Sequence, residues 1–101
     1  MDHDISFKLV NESTTKDSTG QMIATKTETK CLGFEHSVYQ NEFFSAEQAG
    51  IRSEGVILMN RVEYGGQKLL SINGQEFSIY RTYEADADWI ELYYGRRVGN
   101  G

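Results

Sequence analysis

Apolar and polar residues alternate with period two along much of this chain. Over residues 4–10, Ile5, Phe7 and Leu9 share one face, and Asp4, Ser6 and Lys8 take the other. That is the pattern of a strand with one side buried. The alternation returns over 22–31. Ile23, Thr25, Thr27, Thr29 and Cys31 share a face, opposite Ala24, Lys26, Glu28 and Lys30. β-Branched threonines favour extended backbone there. Between these runs, residues 11–20 are a polar cluster of Asn, Ser, Thr, Asp and Gly with Glu12 and Lys16, and read as an exposed loop. At Leu32-Gly33-Phe34 the large residues change face, and a bulge near Gly33 is the expected cause.

Residues 41–50 are the one good helix candidate. Phe43, Ala46 and Ala49 fall at helical spacing, and Gly50 is placed for a left-handed cap. Residues 55–62 are apolar on both faces and read as a central strand. Tyr64-Gly65-Gly66 is a turn. Asn73-Gly74 lies between two strand-like runs and is a strong hairpin signal, because both central residues of the tight turn need positive φ. A third β-rich run, Trp89 to Tyr94, follows the acidic loop 84–88.

These elements predict an all-β, mainly antiparallel fold. The expected architecture is a small six-stranded β-barrel or strongly bent sheet, with one short helix near 41–50. One domain is expected over 1–101, with 1–3 and 95–101 as frayed tails. Alternation nominates Ile5, Phe7, Leu9, Ile23, Val56, Leu58, Leu70, Ile72, Phe77, Ile79, Ile90 and Leu92 for the core.

Charge and candidate chemistry narrow the function. The net charge is −5, the wrong sign for a protein that neutralises phosphates. The single cysteine, Cys31, permits no internal disulfide and fits a reducing compartment. The N-terminus has neither the basic nor the apolar stretch of a signal peptide, and no apolar run is long enough to span a bilayer. Cys31, His3 and His36 match no zinc spacing; His3 falls in the terminus, and nothing marks a nucleophile beside His36. The expectation is therefore no enzyme, no metal and no cofactor. Glu84, Asp86 and Asp88 lack the ligand order of a calcium loop and read as a solvated loop. Tyr80, Tyr83, Trp89, Tyr93 and Tyr94 crowd the final strands and populate both faces, more than one small core can bury. They predict a subunit interface. Arg81 is either a paired rim arginine or part of that interface, with Glu91 as a partner on a neighbouring strand.

One ordered set of residues resembles a known family. Glu42-Phe43-Phe44-x-Ala46-x-x-x-Gly50, then Tyr64-x-Gly66, then Phe77-x-Ile79-Tyr80-Arg81-Thr82-Tyr83 and Ile90-Glu91-Leu92-Tyr93 are similar in order and spacing to the phage head-tail joining (head-closure) proteins. The likeness extends over about residues 5–94. Two positions depart from the family pattern. Arg52-Ser53-Glu54 replaces a segment that often holds proline, and Gln67 stands where glutamate is common.

The resemblance implies a structural virion protein, made in the host cytoplasm and ending at the head–tail interface. It implies a homo-oligomeric ring in the assembled particle that closes the portal channel after DNA packaging and offers the docking surface for the tail, while the isolated chain is expected to be monomeric or to associate only weakly. Its partners would be the portal-adaptor (connector) protein and the tail-completion protein, with DNA passing through the channel without sequence-specific binding and no membrane involved. The alternatives are a tail-completion or terminator ring protein and a small nucleic-acid-binding β-barrel. The stretch from about Glu35 to Glu54 is long for a connection, mostly polar and net negative. With the resemblance, it becomes a channel or stopper segment involving Glu42, Phe43, Phe44, Glu47, Gly50 and Arg52.

Overall fold

Asn73 and Gly74 have φ of 52° and 81°, the two left-handed positions that the tight hairpin turn requires. Strands β4 (Leu69–Ile72) and β5 (Gln75–Glu84) pair across this turn, with Ile72 opposite Gln75 and Leu70 opposite Phe77. The computed structural model describes residues 3–38 and 40–97. In it, this hairpin is one side of a closed barrel. The other strands are β1 (His3–Lys16), β2 (Met22–His36), β3 (Ile51–Asn60) and β6 (Trp89–Arg97). They run β1-β2-β3-β6-β5-β4 around the ring, and each neighbour is antiparallel. The all-β reading with a six-stranded barrel holds. Helix α1 (Gln40–Gln48) joins β2 to β3, and Gly50 at φ 78° follows it.

The core is one cluster inside this ring. Phe7, Leu9, Leu70, Phe77, Ile79, Ile90 and Leu92 are buried there, as alternation predicts. Ile5 and Ile72 pack against the cluster from its ends. Each fully buried leucine contributes about 1.5–3 kcal/mol through burial.

Four sequence expectations need correction. In β3, Ile57 and Met59 enter the core cluster, where Val56 and Leu58 were expected. Their strand was apolar on both sides, so alternation there had no polar face to fix it, and a one-residue choice inverts every side chain. Val56 is still buried, but outside that cluster. Helix α1 packs on β3, and its Ala46 is likewise buried outside the main cluster. The expected bulge near Gly33 is not in the β1–β2 ladder, which runs without a shift from His3 opposite Glu35 to Lys16 opposite Met22. Leu32 and Phe34 simply point outward, 73% and 41% exposed, while Cys31 and Gly33 point in. A Cβ on Gly33 would lie 2.7 Å from the Leu58 carbonyl oxygen and 2.9 Å from Ile57 Cγ2, so β2 and β3 meet here only because the residue is glycine. The tail 95–101 is not frayed throughout, since β6 continues to Arg97; residues 1, 2 and 98–101 lie outside the described residues.

The fourth correction concerns residues 11–20. β1 runs on to Lys16, and the turn is confined to residues 17–21. Asp17 builds that turn: its Oδ1 accepts from the Thr19 amide (2.9 Å), the Thr19 hydroxyl (2.7 Å) and the Gln21 amide (2.9 Å). The Thr19 hydroxyl first, then the Gln21 amide, holds its carboxyl below the usual range. With the turn set, the β-branched residues on either side extend the ladder. The result is a two-stranded arm, Asn11–Lys16 paired with Met22–Thr27, in which no side chain is buried. Ile23, a predicted core residue, is 45% exposed on it.

Candidate assembly surfaces

A β-bulge organises the outer wall of the barrel. Across β5 and β6, Ile79 faces Tyr94 and Arg81 faces Tyr93, which leaves Tyr80 as the extra residue. A bulge re-aims side chains that would otherwise alternate. Here Tyr80 and Arg81, consecutive in sequence, both reach Glu42 of α1. The Tyr80 hydroxyl donates to Glu42 Oε2 at 2.9 Å, and Arg81 Nη2 donates to Glu42 Oε1 at 2.7 Å. Ser53 of β3 lies 2.9 Å from the same hydroxyl. A phenol has one proton to give, so the Ser53 hydroxyl is the donor in that pair. The helix is thus fastened to the wall through both oxygens of a carboxylate that is only 11% exposed.

The same wall stacks its aromatics. The Arg81 guanidinium lies 4.0 Å from the centre of the Tyr93 ring, and Tyr80 and Tyr93 meet edge-on at 6.4 Å. The Tyr93 hydroxyl donates to Glu91 Oε1 at 2.9 Å. Burial pushes both phenols up to about 12, Tyr80 with help from Glu42 and Tyr93 with help from Glu91. Within its own chain Arg81 pairs with Glu42. That link spans 39 residues, and sequence reasoning missed it. The bulge that creates it leaves no mark in the hydrophobic pattern.

Tyr94 is not a surface residue. Alternation along β6 sends Ile90, Leu92 and Tyr94 inward, and Tyr94 is 3% exposed. Its ring meets Phe77 edge-on at 5.2 Å, its hydroxyl donates to Glu35, and its end occupies the space a side chain on Gly55 would need. Burial, then Glu35, raises that phenol well above its ordinary value. The other predicted interface residues stay on the outside. Tyr83 is exposed, and Trp89 is half-buried against Phe34 with ring centres 6.1 Å apart.

A second surface lies where β2 parts from β3. The two strands pair only from Phe34 to His36, so the preceding stretch of β2 has an open edge. A depression of about 590 Å³ forms beside it, with Leu32, Phe34 and Trp89 as apolar members and Asp4, Lys30 and Glu63 as charged ones.

Of the predicted channel segment, Glu42 is committed to Tyr80 and Arg81, while Glu47 and Arg52 are exposed. The side chains of Phe43 and Phe44 lie outside the described residues. The segment is shorter than expected, because β2 reaches His36 and β3 begins at Ile51. Glu84 also has a local role, pairing with Arg61 at 3.0 Å, and Asp86 Oδ1 accepts from the Asp88 and Trp89 amides to close the β5–β6 turn.

No protein-family model matches the chain, and no curated protein matches it in sequence.

Proposed function

We propose that the protein is a structural subunit of the head–tail connector of a tailed phage or prophage. In this reading it forms a ring that closes the portal channel after DNA packaging and presents the surface on which the tail docks. The observation that supports it is the division of the molecule into a well-packed acidic barrel and uncovered assembly features: the β1–β2 arm, and the outer wall at Leu32, Phe34, Trp89 and Tyr83. A ring subunit needs a rigid body and contacts that stay open until its neighbours arrive. A net charge of −5 suits a channel wall that DNA must slide past without sticking.

The α1 connection is the element we assign to the channel. Narrowing the channel would require this helix to leave the wall, which means releasing Glu42 from Tyr80 and Arg81.

The test is genetic and structural. Inactivating the gene in the phage that carries it should leave DNA-filled heads and separate, complete tails, and an antibody to this chain should label the head–tail junction of intact particles. Labelling of free tails but never of heads would favour the tail-terminator reading. Normal infectious particles from the inactivated strain would overturn both.

A further inference from the structure

The arm has two unlike faces. Glu12, Thr14 and Lys16 of β1, with Met22, Ala24, Lys26 and Glu28 of β2, share one face by the observed register. Every charged residue of Asn11–Lys16 and of Met22–Thr29 lies there. On this side Lys26 joins Glu12 at 3.9 Å and Glu76 of the barrel at 3.1 Å. The opposite face has Asn11, Ser13, Thr15, Thr25, Thr27 and Thr29, and ends at Ile23. It bears no charge, and all of it is exposed. A two-stranded ribbon in water is marginal by itself, and an uncharged, β-branched face of this kind is suited to lying against protein.

The same chain holds a surface of matching character. The depression is concave and open, and Leu32, Phe34 and Trp89 give it an apolar floor, with Asp4, Lys30 and Glu63 also in its lining. It sits on the outer wall at the base of the arm, while Ile23 is at the arm's far end, six ladder positions beyond Thr29 opposite Leu9. Charge favours a second copy as the occupant. Residues 11–30 contain three lysines and three acidic residues, so the whole net charge of −5 belongs to the remainder of the chain. Two acidic bodies repel each other, and the neutral arm is the part of one copy that approaches another body at least cost.

We propose that the uncharged face of the arm, led by Ile23, seats in the Leu32–Phe34–Trp89 depression of a second copy. The contact uses two different patches, so it is heterologous: each copy gives an arm and receives one, and copies can continue into a closed ring. The inference requires only a second copy of this chain and does not depend on the connector reading.

The test uses the full-length protein in sedimentation equilibrium up to roughly millimolar concentration, where contacts of modest size become populated. Ile23→Asp spoils the arm, and Leu32→Asp spoils the depression. Both residues are exposed, so melting temperatures should match the wild type. The wild type should associate beyond a dimer, and each variant should weaken association at least tenfold. An equimolar mixture of the two should recover a dimer and stop there, because only one good arm and one good depression meet. Overturning results are a wild type that stays monomeric throughout, variants that associate like the wild type, or a mixture that stays monomeric or grows past a dimer.

Discussion

The β1–β2 hairpin is one continuous ladder in two environments. From His3 to Val10, with Glu28 to Glu35 opposite, it is a wall of the barrel and sends Phe7, Leu9 and Cys31 into the core. From Asn11 to Lys16, with Met22 to Thr27 opposite, it has the same backbone, register and alternation, but no buried side chain. The difference is only in what alternates. Where apolar residues occupy every second position, the ladder becomes part of a body. Where threonine and serine occupy them, it becomes an arm that awaits something to lie against. Backbone pairing sets the shape, and side-chain burial sets how firmly that shape is held.

Substitutions should separate the two regions sharply. Phe77→Ala or Leu70→Ala in the barrel should cost about 3–5 kcal/mol, read from chemical denaturation, because each leaves a cavity in a closed ring. Gly33→Ala should cost about 1–3 kcal/mol, since its methyl would press on the Leu58 carbonyl where β2 meets β3. Arg81→Ala should cost about 1–2 kcal/mol by leaving the sheltered Glu42 carboxylate with one partner. It should also speed amide exchange in α1 more than in β6, and equal acceleration would show that Glu42 does not pin the helix. On the arm, Thr25→Ala and Thr27→Ala should change stability by no more than about 0.5 kcal/mol. A loss as large as that at Phe77 would erase the distinction between arm and body.

Alkaline pH should act on the body through its partly buried phenols. Tyr80 and Tyr93 are raised from 10 to about 12 in the fold. A group whose folded pKa is raised contributes stability below its unfolded value and loses it as pH climbs through the folded one. Melting temperature should therefore fall between about pH 10 and 12. Tyr80→Phe should flatten part of that fall, and an unchanged profile in that variant would remove Tyr80 as a cause.

Most of the barrel was legible in the sequence, for physical reasons visible at particular residues. Asn73-Gly74 demands its turn, and alternation at Phe7, Leu9, Phe77, Ile79, Ile90 and Leu92 points to one interior. It failed at Val56 to Met59, where both faces are apolar and periodicity has nothing to oppose. The arm was half legible. The Thr25-Thr27-Thr29 alternation was plain, but the stretch 11–16 looked like a loop because its composition is polar, and only pairing with β2 makes it a strand. Tyr94 was assigned outward with its neighbours although the alternation of Ile90 and Leu92 already places it inside. The Glu42 link to Tyr80 and Arg81 had no sequence signal, since it depends on a bulge and on contact between segments far apart in the chain.

Residue-resolved hydrogen exchange on the dilute protein tests the central claim most directly. Amides of Leu70, Ile79 and Leu92 should exchange only through global unfolding, while those of Ser13, Thr15, Thr25 and Thr27 should exchange through local opening, many-fold faster. Raising the concentration until copies associate should slow the second group and leave the first unchanged. Equal protection of arm and barrel in the dilute protein would contradict the account.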